Sequence, residues 1–340
     1  MQFELRTQVI EQRRKTFSNL VRRYGDRPAS RYEEGSVDIQ ATEHFHYRPL
    51  WAPTHELYDP TYTVFRLTDP YSYMDPRQFY YAPYVQSRAA MGDAFAKSLE
   101  YVDSRGLLQK LPTGWDALVG DLLLPLRHYE AGAELILIEG SRFAYGTTIE
   151  QACMYAAFDR IGNAQSISRI GIVYADGHDH ALSQAKEKWL TDPALQGLRR
   201  LVEELLVERD YAKELVTLDL CDRLLYAVMF THLDESALMG GAGAYSLLAQ
   251  HFSSWFADQR RWIDHLYKTW FADEEFGASN KAAFEDVLAT RWTQVVEAVV
   301  DFAAAVDARV DTGAVAATEA AAAAIAAELT ALGLSVPGGK

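Results

Sequence analysis

Residues 244–272 read AYSLLAQHFSSWFADQRRWIDHLYKTWFA. Tyr245, Leu248, Phe252, Trp255, Phe256, Gln259, Trp262, Ile263, Leu266, Tyr267 and Trp270 recur at intervals of three and four. An α-helix repeats every 3.6 residues, so this spacing gathers them on one face. A face so rich in aromatic rings has to be covered. Several helices of about 25–30 residues joined by short loops would cover it, and together they point to a helical bundle.

The same reading extends outward. Apolar spacing predicts helices from Asp75-Pro76 to about Arg105, and over 114–138, 145–173, 181–190, 193–211, 213–235, 279–308 and 315–332, with an amphipathic helix over 6–24. Asp75-Pro76 and Asp192-Pro193 each look like an N-cap followed by proline at the first helical position. Gly106, Gly177, Gly240 to Gly243 and Gly333 fall where helices should stop or turn. No strand alternation is long enough to build a sheet. Residues 25–76 differ. Twelve aromatics and six of the eleven prolines lie between Phe45 and Tyr84, and proline fixes φ and blocks helix. The expected fold is all-α: a helical bundle over 76–310, an extended irregular N-terminal arm over 1–75, and an alanine-rich helix with a frayed tail over 311–340.

The 340 residues carry a net charge of −14, which argues against nucleic acid as a partner. Residues 1–31 hold eight Arg or Lys against three acids, so the remaining chain carries −19. A basic arm of this kind suits a solvated helix or an acidic neighbour. The start lacks the apolar run of a signal peptide, and no apolar stretch approaches the ~20 residues of a membrane span. Cys153 and Cys221 sit in apolar helical patterns and read as buried thiols of a reducing, cytoplasmic compartment.

Tests for chemistry come back empty. There is no G-x-x-x-x-G-K-[ST], and the GGAG at 240–243 does not continue as G-x-G-x-x-G. Two cysteines are too few for an iron–sulfur cluster, and no G-x-S-x-G occurs. A carboxylate-bridged diiron site takes a Glu from each of two helices and a Glu-x-x-His pair from each of two more. Of nine histidines only His46 has an acid three residues earlier, Glu43. That pair runs into Tyr47-Arg48-Pro49, where the helix it would need cannot continue. Glu130 and Glu134 meet Ala133 and Leu137 at i+3, and Asp258 meets Arg261. The cluster Asp176, His178, Asp179 and His180 reads as a solvated turn. No catalytic, metal-binding or cofactor-binding residue is assigned.

TEHFHYRPLW at 42–51, HELYDPT at 55–61, MDPRQFYYAPYVQSRA at 74–89, MYAAFDRIGNAQSISRIGI at 154–172 and WLTDPALQGLRRLVEE at 189–204 together resemble the small β subunit of bacterial multicomponent phenol hydroxylase. The resemblance runs from about residue 7 to 270. It implies an (αβγ)2 hydroxylase in which the partner α subunit carries the diiron centre and β keeps a ferritin-like fold without iron. A γ subunit, a small regulatory protein and an NADH-dependent flavin and iron–sulfur reductase complete the implied system, which converts phenol and O2 to catechol. On this reading residues 1–75, with their aromatic, proline-rich segment, wrap the α subunit or the symmetry-related half; the alternative is that the aromatics fold back on this chain's own helices. His46, Tyr47, Arg48, Pro49 and Trp51, with Phe79, Tyr80 and Tyr81, are the expected partner contacts, since Tyr, Trp, Phe and Arg anchor permanent interfaces. Two alternatives stay open: the equivalent subunit of a sister diiron monooxygenase acting on another aromatic or a small hydrocarbon, and a stand-alone helical binding or metal protein.

Overall fold

The structure, a computed structural model, describes residues 16–42 and 53–337. Two short helices, α1 (Ser18–Tyr24) and α2 (Arg31–Ser36), open it. Then come α3 (Tyr81–Ser104), α4 (Thr113–Leu118), α5 (Leu126–Phe143), α6 (Thr147–Tyr174), α7 (His180–Thr191), α8 (Pro193–Leu205), α9 (Tyr211–Tyr226) and α10 (Leu233–Met239). The long α11 (Gly243–Ala272) and α12 (Gly277–Asp307) precede α13 (Ala314–Ala331). No strand occurs among the described residues, so the fold is the expected all-α bundle.

α5 and α6 form an antiparallel hairpin. Their backbones approach closely because Gly140 has no side chain: a Cβ there would stand 2.7 Å from Cys153 Sγ. α9 and α11 complete a four-helix core. The face read from the sequence of α11 is buried as expected, with Trp255, Trp262 and Trp270 at its heart. α12 covers α8, α9 and α11, and α13 lies on α12. Two helices carry π turns, Val119–Leu123 and Ala227–His232. The second places Phe230 face to face with Phe252, centroids 4.6 Å apart. It splits the predicted 213–235 helix into α9 and α10.

Two expectations need correction. Asp75-Pro76 does not open α3, which begins six residues after Asp75, at Tyr81. Asp75 instead closes a turn in which Gln78 N donates to Asp75 O at 2.8 Å and Gln78 takes φ +51°. Its carboxylate is spent on the Arg77 N–H and guanidinium, so the local cap signal loses to a buried ion pair.

The segment from residue 53 to 80 is irregular, as expected, and it lies as a strap on this chain's own helices. Asp210 accepts from Thr63 Oγ1 and Val64 N at 2.7 and 2.8 Å. Asn280 holds Arg66 N and O, and Asp273 holds Thr68 N and Oγ1. These side chains pair the strap's backbone groups with the helices beneath it. Tyr62 stacks on Phe143 and Phe65 on Trp270, at 4.3 and 4.6 Å.

The second correction concerns α13, which is long and apolar enough by composition to cross a membrane. It is apolar because it is mostly alanine, and Ala314, Thr318, Ala322, Ile325 and Leu329 face inward. Arg223 of α9 pairs with its Glu328. The helix is a packed part of the main core.

Candidate functional site

The centre of the four-helix core is polar. Glu130 on α5 and Asp222 on α9 each bring a carboxylate to the same place, and Arg160 on α6 lies between them. Arg160 Nη1 donates to both Glu130 oxygens at 3.1 Å, and Nη2 donates to Asp222 Oδ2. Asn163, one turn along α6, donates to Glu130 Oε2 at 3.4 Å and to Tyr226 Oη at 3.3 Å. Tyr129 Oη donates to Asp222 Oδ1 at 2.8 Å, and Tyr226 Oη donates to Glu130 Oε1 at 2.7 Å. The Trp255 ring of α11 lies over the guanidinium carbon at 4.7 Å. Arg160 is 0 % exposed, so its charge is held entirely by protein groups.

The electrostatics follow from burial. Desolvation pushes Asp222 up to about 7 against the pull of Arg160, with Glu130 adding to the rise. Burial disfavours the Arg160 cation, but Asp222 and Glu130 outweigh it and keep the guanidinium charged. Arg160 Nε and Trp255 Nε1 are buried without a hydrogen-bond partner. One guanidinium thus faces two carboxylates, with two buried nitrogens beside them left unpaired.

A second charged cluster lies beside the first. Asp159, next to Arg160 in sequence, accepts from Arg88 Nε at 2.7 Å and Tyr84 Oη at 2.9 Å. Asp258, three residues after Trp255, accepts from Arg88, Arg77 and Arg261. Phe79 lies against the Arg77 and Arg88 guanidinium groups at 4.7 and 5.1 Å and packs on Tyr84. A cleft of about 250 Å³ opens here, with Asn163 and Trp255 on its wall. His251, also on that wall, is pushed down to about 4 by burial and is neutral.

Neither cysteine offers a nucleophile, because burial pushes both thiols up to about 12. His178 and His180 sit in an exposed turn with ring centroids 6.3 Å apart. No group of three His, Cys, Asp or Glu that could hold a metal occurs among the described residues. Glu43 and His46 lie outside them, as do Tyr47, Arg48, Pro49 and Trp51. Phe79 is buried in this chain's own cluster, Tyr80 is half-buried, and Tyr81 is 76 % exposed.

Sequence reasoning missed the central cluster. It weighed Glu130 only as half of a Glu-x-x-His pair and did not consider a cation supplied by the protein. The available signal was Arg160 and Asn163 inside the apolar run of 154–172.

The residues at the bundle centre invite comparison with known helical oxygenases. The family model described as Methane/Phenol/Alkene Hydroxylase matches residues 51–274. The chain belongs to this family. It is 40% identical over 292 residues to the phenol 2-monooxygenase oxygenase component DmpL of Pseudomonas sp. strain CF600, covering 84% of this chain and 87% of that one. It is 26% identical over 252 residues to the β chain of methane monooxygenase component A from Methylosinus trichosporium, covering 71% and 61%. A chain in the crystal structure of xenon-pressurised phenol hydroxylase from Pseudomonas sp. OX1 superposes with a TM-score of 0.89 at 32% identity, covering 98% of this chain and all of that one. A chain of toluene 4-monooxygenase shares the fold alone, with a TM-score of 0.74 at 18% identity. The family's helical bundle is therefore present from end to end, and the resemblance read from the sequence holds.

Proposed function

We propose that this chain is the structural β subunit of the oxygenase component of a phenol 2-monooxygenase, a multicomponent diiron hydroxylase. The reading is supported by a match to phenol hydroxylase over nearly the whole of both chains. The observation that carries the non-catalytic role is Arg160. A guanidinium fixed between Glu130 and Asp222 fills with protein the place where carboxylates of such a bundle would converge on metal.

On this reading the diiron centre lies in a partner α subunit, and the assembly is (αβγ)2. A regulatory protein and an NADH-dependent reductase serve it, and the complex converts phenol to catechol in the cytoplasm. This chain then contributes rigidity and contact area. Residues 43–52, with His46, Tyr47, Arg48, Pro49 and Trp51, and the exposed Tyr81 are its proposed contacts. Tyr81 is favoured by its exposure, whereas Phe79 serves the chain's own packing.

Coexpression with α and γ, followed by metal analysis and a phenol oxygenase assay, tests the proposal. The expected result is iron and turnover in the assembled complex, with neither in the purified β chain. Turnover by the lone chain would overturn it.

A further inference from the structure

The four core helices carry a recognisable pattern of positions. In carboxylate-bridged bundles, two helices give one carboxylate each and the other two give residues at i and i+3. Here α5 and α9 give Glu130 and Asp222, whose i+3 neighbours are Ala133 and Leu225. On α6 the i, i+3 pair is Arg160 and Asn163, and both reach Glu130. On α11 it is Trp255 and Asp258. Trp255 covers Arg160, and Asp258 turns away to Arg77 and Arg88.

We propose that Arg160 stands in the place of a divalent metal ion within a carboxylate arrangement that α5 and α9 still carry. Replacing it with glutamate, together with Asn163→His, then opens a divalent-metal site in this chain.

Three observations carry this. The two carboxylates are anchored from behind by Tyr129 and Tyr226, the kind of outer support that fixes ligating carboxylates independently of the ion. The cation between them is required by charge, since removing it strands two buried acids. Its fit is nevertheless incomplete, because Arg160 Nε finds no acceptor. The i, i+3 spacing puts positions 160 and 163 on one face of α6. The introduced carboxylate and imidazole would therefore join Glu130 and Asp222 as four oxygen and nitrogen donors, a set suited to a first-row divalent cation. The inference concerns this chain's core alone and does not depend on its partners.

The test uses the full-length chain and Co(II) as probe. Arg160→Glu/Asn163→His is expected to take up one Co(II) per chain, with ligand-field absorption, a raised thermal midpoint, and loss of both on adding Glu130→Gln. Wild type is expected to gain no thermal stability from Co(II). Arg160→Ala provides a second variant: its lowered midpoint should rise with Co(II) and fall again with chelator. Folded variants that bind no Co(II), or wild type that binds it equally at the core, would overturn the proposal. So would variants that stay unfolded with and without the ion, because a cation in that place should restore the core.

Discussion

Two guanidinium clusters lie side by side in this molecule and do different work. Asp159 and Arg160 are consecutive on α6, yet Asp159 faces Arg88 and Arg160 faces Glu130 and Asp222. Trp255 and Asp258 divide in the same way on α11. The inner cluster joins α5, α6 and α9 across the bundle centre under the Trp255 ring of α11, and its three charged side chains are buried. The outer cluster fastens α3 and the strap end at Asp75 to α6 and α11, and Arg88 keeps 14 % of its side chain exposed. One cation replaces what another protein of this architecture would hold as an ion. The cations of the outer cluster act as a seam.

The sharpest way to break this contrast is to delete each cation. Arg160→Met should destabilise the chain by about 3–5 kcal/mol, because it leaves two carboxylates buried without a counter-charge. Chemical denaturation measures this. Replacing the whole inner cluster, as Glu130→Leu/Arg160→Met/Asp222→Leu, should recover most of the loss, since well-packed apolar groups often match a buried ion pair. Arg88→Ala should cost less, about 2 kcal/mol, because Asp159 keeps its Tyr84 hydrogen bond, Asp258 keeps Arg77 and Arg261, and solvent reaches the site. A larger loss for Arg88→Ala than for Arg160→Met would reverse the comparison.

Glu214 sharpens it from another side. It is a buried acid on α9 whose Oε2 has no partner, and burial pushes it up to about 9. The neighbouring acids Glu139, Glu208 and Asp210 add to the rise, and it keeps its proton. The folded chain therefore binds a proton that the unfolded chain releases near the ordinary glutamate value. The stability this contributes is fully present below about 4.5 and is lost as pH rises toward 9. Glu214→Gln should flatten that slope, raising stability at pH 8 and leaving it nearly unchanged at pH 4. Thermal midpoints across pH would show it.

The smallest expected effect on the isolated chain is Tyr81→Ala, within about 0.5 kcal/mol, because the ring is exposed. Its readout is copurification with α and γ, which should weaken. Unchanged assembly would remove Tyr81 from the proposed interface.

Much of the architecture was legible in the order of residues. The buried face of α11, the 193 start of α8 and the alanine helix follow from local spacing and capping, and each depends only on neighbours a turn or two away. The family was legible too, through long mixed motifs. Where local signals competed with tertiary ones they failed, as at Asp75, whose capping oxygen was already engaged by Arg77. The predicted helix 213–235 failed at a π turn, a change of register that period-counting does not register.

The sequence by itself determined that this is a helical bundle with no second Glu-x-x-His pair, because periodicity and composition are properties of a chain before it folds. Only the tertiary structure decided that Arg160 meets Glu130 and Asp222, 30 and 62 residues away, and that Asn280 holds the strap from 214 residues downstream. Which buried polar groups meet is set by the way helices pack, and burial then makes each meeting obligatory, since an unpaired charge in the interior is too unstable to persist.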